Sequence, residues 1–171
     1  MAKAFSDLEV LANTLRPKLG ELGVVGIDGW TGVGKTTLGE RLAKELGGTF
    51  FDLDCALTHD RKAYVSAIRI NEVSEAFANQ RRPLVVSGIC LLEVLEKAAV
   101  KLDSSVYIKR MAAWGWADED ELRGIDFGVP GASGEPVREE LRRYHQKWQP
   151  HLYADYEFQR TDKPSLTSNA L

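Results

Sequence analysis

Gly29-Trp30-Thr31-Gly32-Val33-Gly34-Lys35-Thr36 is the stretch on which the reading of the whole chain turns. It fits the spacing G-x-x-x-x-G-K-[ST] in full and lies between an apolar run and a helical one, where that pattern has its mechanical meaning. Its glycines let backbone N–H groups converge on phosphate oxygens without a Cβ in the way. The helix expected from Lys35 adds unpaired first-turn N–H groups and the positive end of its dipole. Lys35 supplies a cation for the β- and γ-phosphates, the Thr36 hydroxyl suits Mg²⁺, and Thr37 lies within reach of the α-phosphate. A turn that merely joined strand to helix would need none of these residues in register.

Outward from this loop the pattern alternates. Leu22 to Ile27 reads as a buried strand. Leu38, Leu42 and Leu46 mark an amphipathic helix from Lys35 to Leu46, closed by Gly47-Gly48. Upstream, Ser6-x-x-Glu9 has the form of a capping box, with Leu8, Leu11, Ala12 and Leu15 at helical spacing before Pro17 and Gly20. This predicts an N-terminal helix within residues 1–20. Downstream, strands are expected at Thr49–Leu53, Leu84–Ser87, Ser105–Lys109 and Tyr153–Gln159, and helices at Arg61–Asn79, Cys90–Val100 and Glu135–Trp148. The alternation predicts an α/β fold of the P-loop NTPase type: a mainly parallel five-stranded sheet between two layers of helices, in one domain spanning 1–171. Residues 111–135, punctuated by Gly124, Gly128, Gly131 and Gly134, read as a lid, and Ser165 to Leu171 as a frayed tail.

Composition narrows the function classes. The 171 residues are 44% hydrophobic and 27% charged, with a net charge of −3, which argues against a surface built for nucleic acid. Cys55 and Cys90 have no metal-ligand spacing, so neither a zinc site nor a disulfide framework is expected, and free thiols suit a reducing cytoplasm. The first residues lack the apolar run of a signal peptide, and no stretch approaches the ~20 apolar residues of a membrane span. A cytoplasmic location without membrane partners is the expectation.

Two finer resemblances attach to the loop. The run from Val25 to Leu38 resembles uridine kinases and their relatives, as does Arg142-Arg-Tyr-His-Gln-Lys-Trp-Gln-Pro150 followed by Ala154-Asp155. The segment Gly34 to Leu46, continuing to Phe51-Asp-Leu-Asp54, is similar to shikimate kinases. Residues 22–160 thus resemble P-loop small-molecule kinases, which implies ATP and Mg²⁺ as cofactors and a small hydroxyl compound, nucleoside-like or a small acid, as acceptor. A guanine-nucleotide switch would carry Asn-Lys-x-Asp, which is absent, and a motor would carry an acid where the strand Leu84–Ser87 ends in a hydroxyl. Departures are specific too. Ser87-Gly88 stands where uridine kinases have Glu-Gly and shikimate kinases a triple glycine, and Asp54-Cys-Ala-Leu57 stands where uridine kinases have Asp-x-Phe-Tyr. The acceptor therefore stays open between a nucleoside and a shikimate- or gluconate-like compound. The missing acid at Ser87 also leaves room for a regulatory module that binds nucleotide with little catalysis.

The chemistry-bearing candidates follow. Asp52 and Asp54, two apart on a strand, point to one side. The resemblance implies that Asp54 orients the acceptor hydroxyl while Asp52 joins Thr36 at the metal; the lesser alternative is that both simply begin a solvated turn after the strand. Asp28 suits either the metal environment or a structural turn. Arg110 and Arg123 bracket the lid and would stabilise charge on the migrating group, or lie on the surface. Arg138, Arg142 and Arg143 fit a solvated helix face with Glu139 and Glu140. Ser87 is a candidate for metal-bound water. His59, Arg61, Tyr64 and Arg69 offer an acceptor pocket, and Trp114 and Trp116 a base clamp or a core contact. His145 and His151 read as surface or capping residues, and the resemblance puts Thr161 to Pro164 against the adenine.

Overall fold

The structure is a computed structural model that describes residues 2–58, 63–123 and 136–161. His59, Arg61, the four lid glycines, Pro164 and the tail lie outside the described residues. Among the described residues, seven strands form one sheet in the order β1 (Lys3–Phe5), β7 (Tyr156–Thr161), β5 (Ser104–Ala112), β2 (Val24–Gly29), β4 (Leu84–Ser87) and β3 (Thr49–Asp52), with β6 (Gly115–Trp116) paired to β5. Every pairing is parallel except that of β5 with β6. The five predicted strands are its parallel centre, and the count of five is corrected by two additions. β1 is a three-residue edge strand whose backbone pairs with β7; β6 closes a hairpin on β5 through Ala113 and Trp114. Neither is long enough to carry a period in the sequence.

β2 is buried over all six residues, because both faces of a parallel sheet are covered by helices. Val25 and Ile27 are fully inaccessible, each contributing about 1.5–3 kcal/mol. α1 (Leu8–Leu19) and α2 (Lys35–Leu46) pack together on one face; α5 (Leu91–Lys97), α7 (Pro136–Trp148) and α8 (Pro150–Tyr153) lie on the other. α2 approaches β3 closely at Gly39, where a Cβ would stand 2.2 Å from the Phe50 ring. No helix among the described residues is long and apolar enough to cross a membrane.

Local corrections have local causes. α1 is capped by Asp7 rather than Ser6: its extended backbone precedes the first turn, and its carboxylate accepts the Val10 N–H at 3.0 Å. Pro17 sits inside the last turn of α1, and Gly20 ends it. The helix predicted over 61–79 breaks into α3 (Tyr64–Ala67) and α4 (Ile70–Asn79). Between them the chain is extended and pairs with the segment after Asp54: Thr58 N–H donates to Ala67 O at 2.9 Å and Arg69 N–H to Ala56 O at 2.8 Å. Those bonds between segments win over the helical period. Within the expected lid, residues 111–123 form the hairpin and a short α6 (Glu119–Arg123), with Leu122 and Asp118 buried.

Candidate functional site

β2 delivers the loop at the centre of the sheet, and α2 carries it away. Gly32 and Gly34 adopt φ of +74° and +97°, left-handed backbone that a side chain would strain. Gly34 is the N-cap of α2 and offers no side chain to its first turn, so the leading N–H groups face the hollow of the loop. Trp30 and Val33 are turned the other way, into the core. The Trp30 indole N–H donates to Glu121 Oε2 at 2.9 Å, and Val33 O accepts from Arg160 Nη1 of β7 at 3.0 Å. The loop is thus a backbone cradle held from behind by its own apolar side chains.

A cavity of about 470 Å³ opens in front of it, lined by Thr31, Gly32 and Gly34 to Thr37 on one side. Asp52, Asp54, Leu57 and Tyr64 line the other side, with Ser87, Gly88 and Ile89 between. The Lys35 ammonium donates to Gly29 O at 3.0 Å and Trp30 O at 2.6 Å. Burial lowers its pKa, and the carboxylates of Asp28, Asp54 and Asp52 pull it back. Thr36 Oγ1 donates to Asp52 Oδ2 at 2.7 Å; the other oxygen of Asp52 accepts the Asp54 N–H at 3.1 Å. Tyr64 OH donates to Asp54 Oδ1 at 2.6 Å. Asp52 and Asp54 do share one site, but by a different route from strand alternation: Asp52 ends β3, and Asp54 lies in the 3-10 turn Leu53–Ala56 that Asp52 caps.

Ser87 ends β4 in register with Asp52, and its hydroxyl is buried without a hydrogen-bond partner among the described residues. A hydroxyl left so at the floor of a polar cavity, beside Thr36 and Asp52, is the oxygen-rich donor set that a hard divalent cation favours. The cradle and these oxygens fit a magnesium-bound polyphosphate.

Other candidates lie apart. Asp28 is buried beneath the loop, where Oδ1 accepts the Gly29 N–H at 2.7 Å and Oδ2 the Tyr144 hydroxyl. Burial raises its pKa to about 6, opposed by the Tyr144 bond and Lys35. Its place is therefore structural, under the cradle. Arg110 pairs at 2.7 Å with Asp118, which is fully buried, and Arg123 with Glu119 at 2.5 Å on the exposed side of α6; neither lines the cavity. Arg69 is engaged with Glu72 and Cys55 O. Trp114 is exposed, whereas Trp116 is half-buried beside Tyr107 and Lys109.

His145 is not at the surface. It lies on the inner stripe of α7, with Nδ1 at 2.8 Å from Leu141 O and Nε2 at 2.9 Å from Tyr107 OH, and burial lowers its pKa to about 4. The neutral ring donates to the carbonyl and accepts from the phenol. His151, half-buried against Trp116, is also lowered, by burial and by Lys109. Arg138 and Arg142 are not simply solvated either: both reach Glu121, at 2.8 Å to Oε2 and 3.0 Å to its carbonyl. A larger cavity of about 580 Å³ lies between α5 and α8 on the far side of β2, with Leu91, Leu95, Val106 and Trp148 in its walls. It holds neither the loop nor the acidic pair.

Sequence reading had no signal for Arg160, Glu121 or Glu140 at this site. Only the stripe Glu140, Leu141, Tyr144, His145 and Trp148, at helical spacing, marks which face of α7 turns inward.

A central parallel strand, a glycine cradle and a basic helix start, with one carboxylate ending β3 and a second in the turn that follows it, define the P-loop α/β architecture used by kinases of small molecules. Residues 31–88 match the shikimate kinase family. Two solved structures share the fold: a protein provisionally named a fructose transport system kinase from Silicibacter sp. TM1040, and one provisionally named a uridine kinase from Bacillus stearothermophilus. The first is 12% identical with a TM-score of 0.56, over 90% of this chain and 99% of its own. The second is 15% identical with a TM-score of 0.56, over 88% of this chain and 96% of its own. No curated protein matches.

Proposed function

We propose that this chain is a single-domain kinase that moves the γ-phosphoryl group of ATP to a hydroxyl of a small molecule, in the manner of a uridine kinase. The observation that carries this reading is one cavity shared by the phosphate cradle and the Asp52–Asp54–Tyr64 group, so that donor and acceptor meet in a common space. Phosphoryl transfer asks the protein mainly for in-line positioning and neutralised charge. The N–H groups of residues 32–37 hold the phosphates. Lys35, already over the loop carbonyls, swings its ammonium to the β- and γ-oxygens. Thr36 and Asp52, with Ser87 beneath them, would hold Mg²⁺, which when bound offsets phosphate charge. Asp54, held by Tyr64, orients the acceptor hydroxyl; its oxygen attacks the γ-phosphorus, the bond to the β–γ bridging oxygen breaks, and the proton passes to the Asp54 carboxylate.

Among the lid cations, Asp118 holds Arg110 away from the cavity, since releasing it would strand a buried carboxylate. Arg123, exposed beside Glu119, keeps the freedom to reach a closing site. Pro164 belongs to this reading as the adenine edge by resemblance alone.

The test is ADP release from ATP and Mg²⁺ with a panel of nucleosides, shikimate, gluconate and pantothenate. Turnover that needs one of these acceptors and disappears in Asp54→Asn supports the kinase. Nucleotide binding without response to any acceptor would instead favour a regulatory module, the reading that a hydroxyl at Ser87 in place of an acid keeps open.

A further inference from the structure

Glu140 is a buried carboxylate on a helix whose sequence reads as charged and solvated. Its oxygens accept two backbone N–H groups from a distant part of the chain, Tyr64 at 2.5 Å and Val65 at 3.0 Å. Those are the leading N–H groups of α3, and Ala63, at its N-cap, has no side chain to offer them. A tertiary contact from α7 therefore does the work of the missing cap. The consequence runs one residue further, because the Tyr64 whose N–H is held also donates its hydroxyl to Asp54 at 2.6 Å. Two buried donors and one carboxylate fix the origin of the Tyr64 side chain, and the phenol fixes one oxygen of Asp54. The other oxygen of Asp54 stays available to the cavity, which Asp54 and Tyr64 both line.

We propose that Glu140 is a positioning residue for the acceptor side of the site, acting through Tyr64 on the Asp54 carboxylate and leaving the nucleotide side untouched. This rests on the kinase reading for its meaning in catalysis, though not for its geometry. The nucleotide cradle is built from residues 29–37 and is braced by Asp28, Glu121 and Arg160, none of which touches Glu140 in the hydrogen bonds above. A change at Glu140 should thus separate the two halves. Misplacing a reacting group by about an ångström costs on the order of 10²-fold, so acceptor kcat/KM should fall about 10- to 100-fold with the KM for ATP unchanged.

The experiment uses the full chain labelled with tyrosine carrying ¹³C at Cζ, whose resonance reports the hydrogen bond of each phenol; Tyr64→Phe assigns the signal. Asp54→Asn should move the Tyr64 resonance, and Glu140→Ala should move it in the same direction. Glu140→Gln, which keeps a carbonyl oxygen for the two N–H donors, should restore most of the original shift. Calorimetry with magnesium and the non-hydrolysable analogue AMPPNP should give the wild-type affinity in both Glu140 variants. A Tyr64 resonance that stays in place in Glu140→Ala overturns the proposal, and so does a parallel loss of AMPPNP binding. If the acceptor panel yields no turnover, the kinase reading fails, while the resonance still decides the role of Glu140.

Discussion

The two halves of the cavity are made in opposite ways. The phosphate side is contiguous: residues 29–37 form it almost alone, and they act through backbone N–H groups that a short motif can dictate. The acceptor side is gathered from Asp54, Leu57, Tyr64 and Ile89, with Glu140 supporting it from a helix about 75 residues away in sequence. The first half takes its shape from local conformation and is braced from behind by Glu121 and Arg160, whereas the second is assembled by tertiary hydrogen bonds. The same contrast explains why the loop resembles two kinase families at once while the acceptor stays unnamed.

Substitutions can break the contrast or sharpen it. The largest effect is expected for Asp54→Asn, where loss of the proton acceptor should lower turnover by about 10³-fold with AMPPNP affinity retained in calorimetry. Lys35→Ala should lower turnover by about 10²- to 10³-fold through loss of charge stabilisation, with an unchanged circular dichroism spectrum because the fold does not rest on that ammonium. An active Lys35→Ala enzyme would contradict the role given to the cradle.

Behind the loop, His145 provides a pH test. Its folded pKa of about 4 lies below the ordinary value near 6.5, so the folded state binds fewer protons than the unfolded one between these limits. The stability this group contributes is full above pH 6.5 and is lost as pH falls through 4, a change of about 3 kcal/mol. Asp28 has the opposite sign: with its pKa raised from 3.8 to about 6, its contribution falls as pH rises through that window. Denaturant titrations of His145→Gln at pH 7 and pH 4 isolate the first group, and the variant should lose less stability on acidification than the wild type. The smallest effect is expected for Gly34→Ala. A left-handed residue costs roughly 1–2 kcal/mol once it carries a Cβ. That Cβ would also stand 2.6 Å from the Arg160 guanidinium, so AMPPNP affinity should weaken with stability in the same titration.

Legibility followed the same division. The helix from Lys35 to Leu46 and the strand from Leu84 to Ser87 stand where sequence periodicity puts them, because glycine caps and buried apolar runs speak for themselves. β1 escaped notice because Lys3 and Ala4 are exposed and only Phe5 is buried, leaving no alternation to detect. The break at Ile68 is dictated by pairing with Leu57, which a helical period cannot foresee. Glu140 and His145 were hidden by their company, since a helix rich in Arg and Glu reads as solvated however its inner stripe is oriented. The acidic pair was legible as residues but not as geometry, for its convergence depends on the turn capped by Asp52.

The backward-facing Trp30 has a mechanical corollary. Its ring occupies the protein interior and its N–H is moored to Glu121, which Arg138 and Arg142 also grip from α7. The glycines beside it are therefore flanked by a fixed point, since the loop is tied from behind through a 2.9 Å hydrogen bond to Glu121 and not only by whatever docks in front. A ligand arriving at such a receptacle has little rearrangement to drive, which favours fast capture.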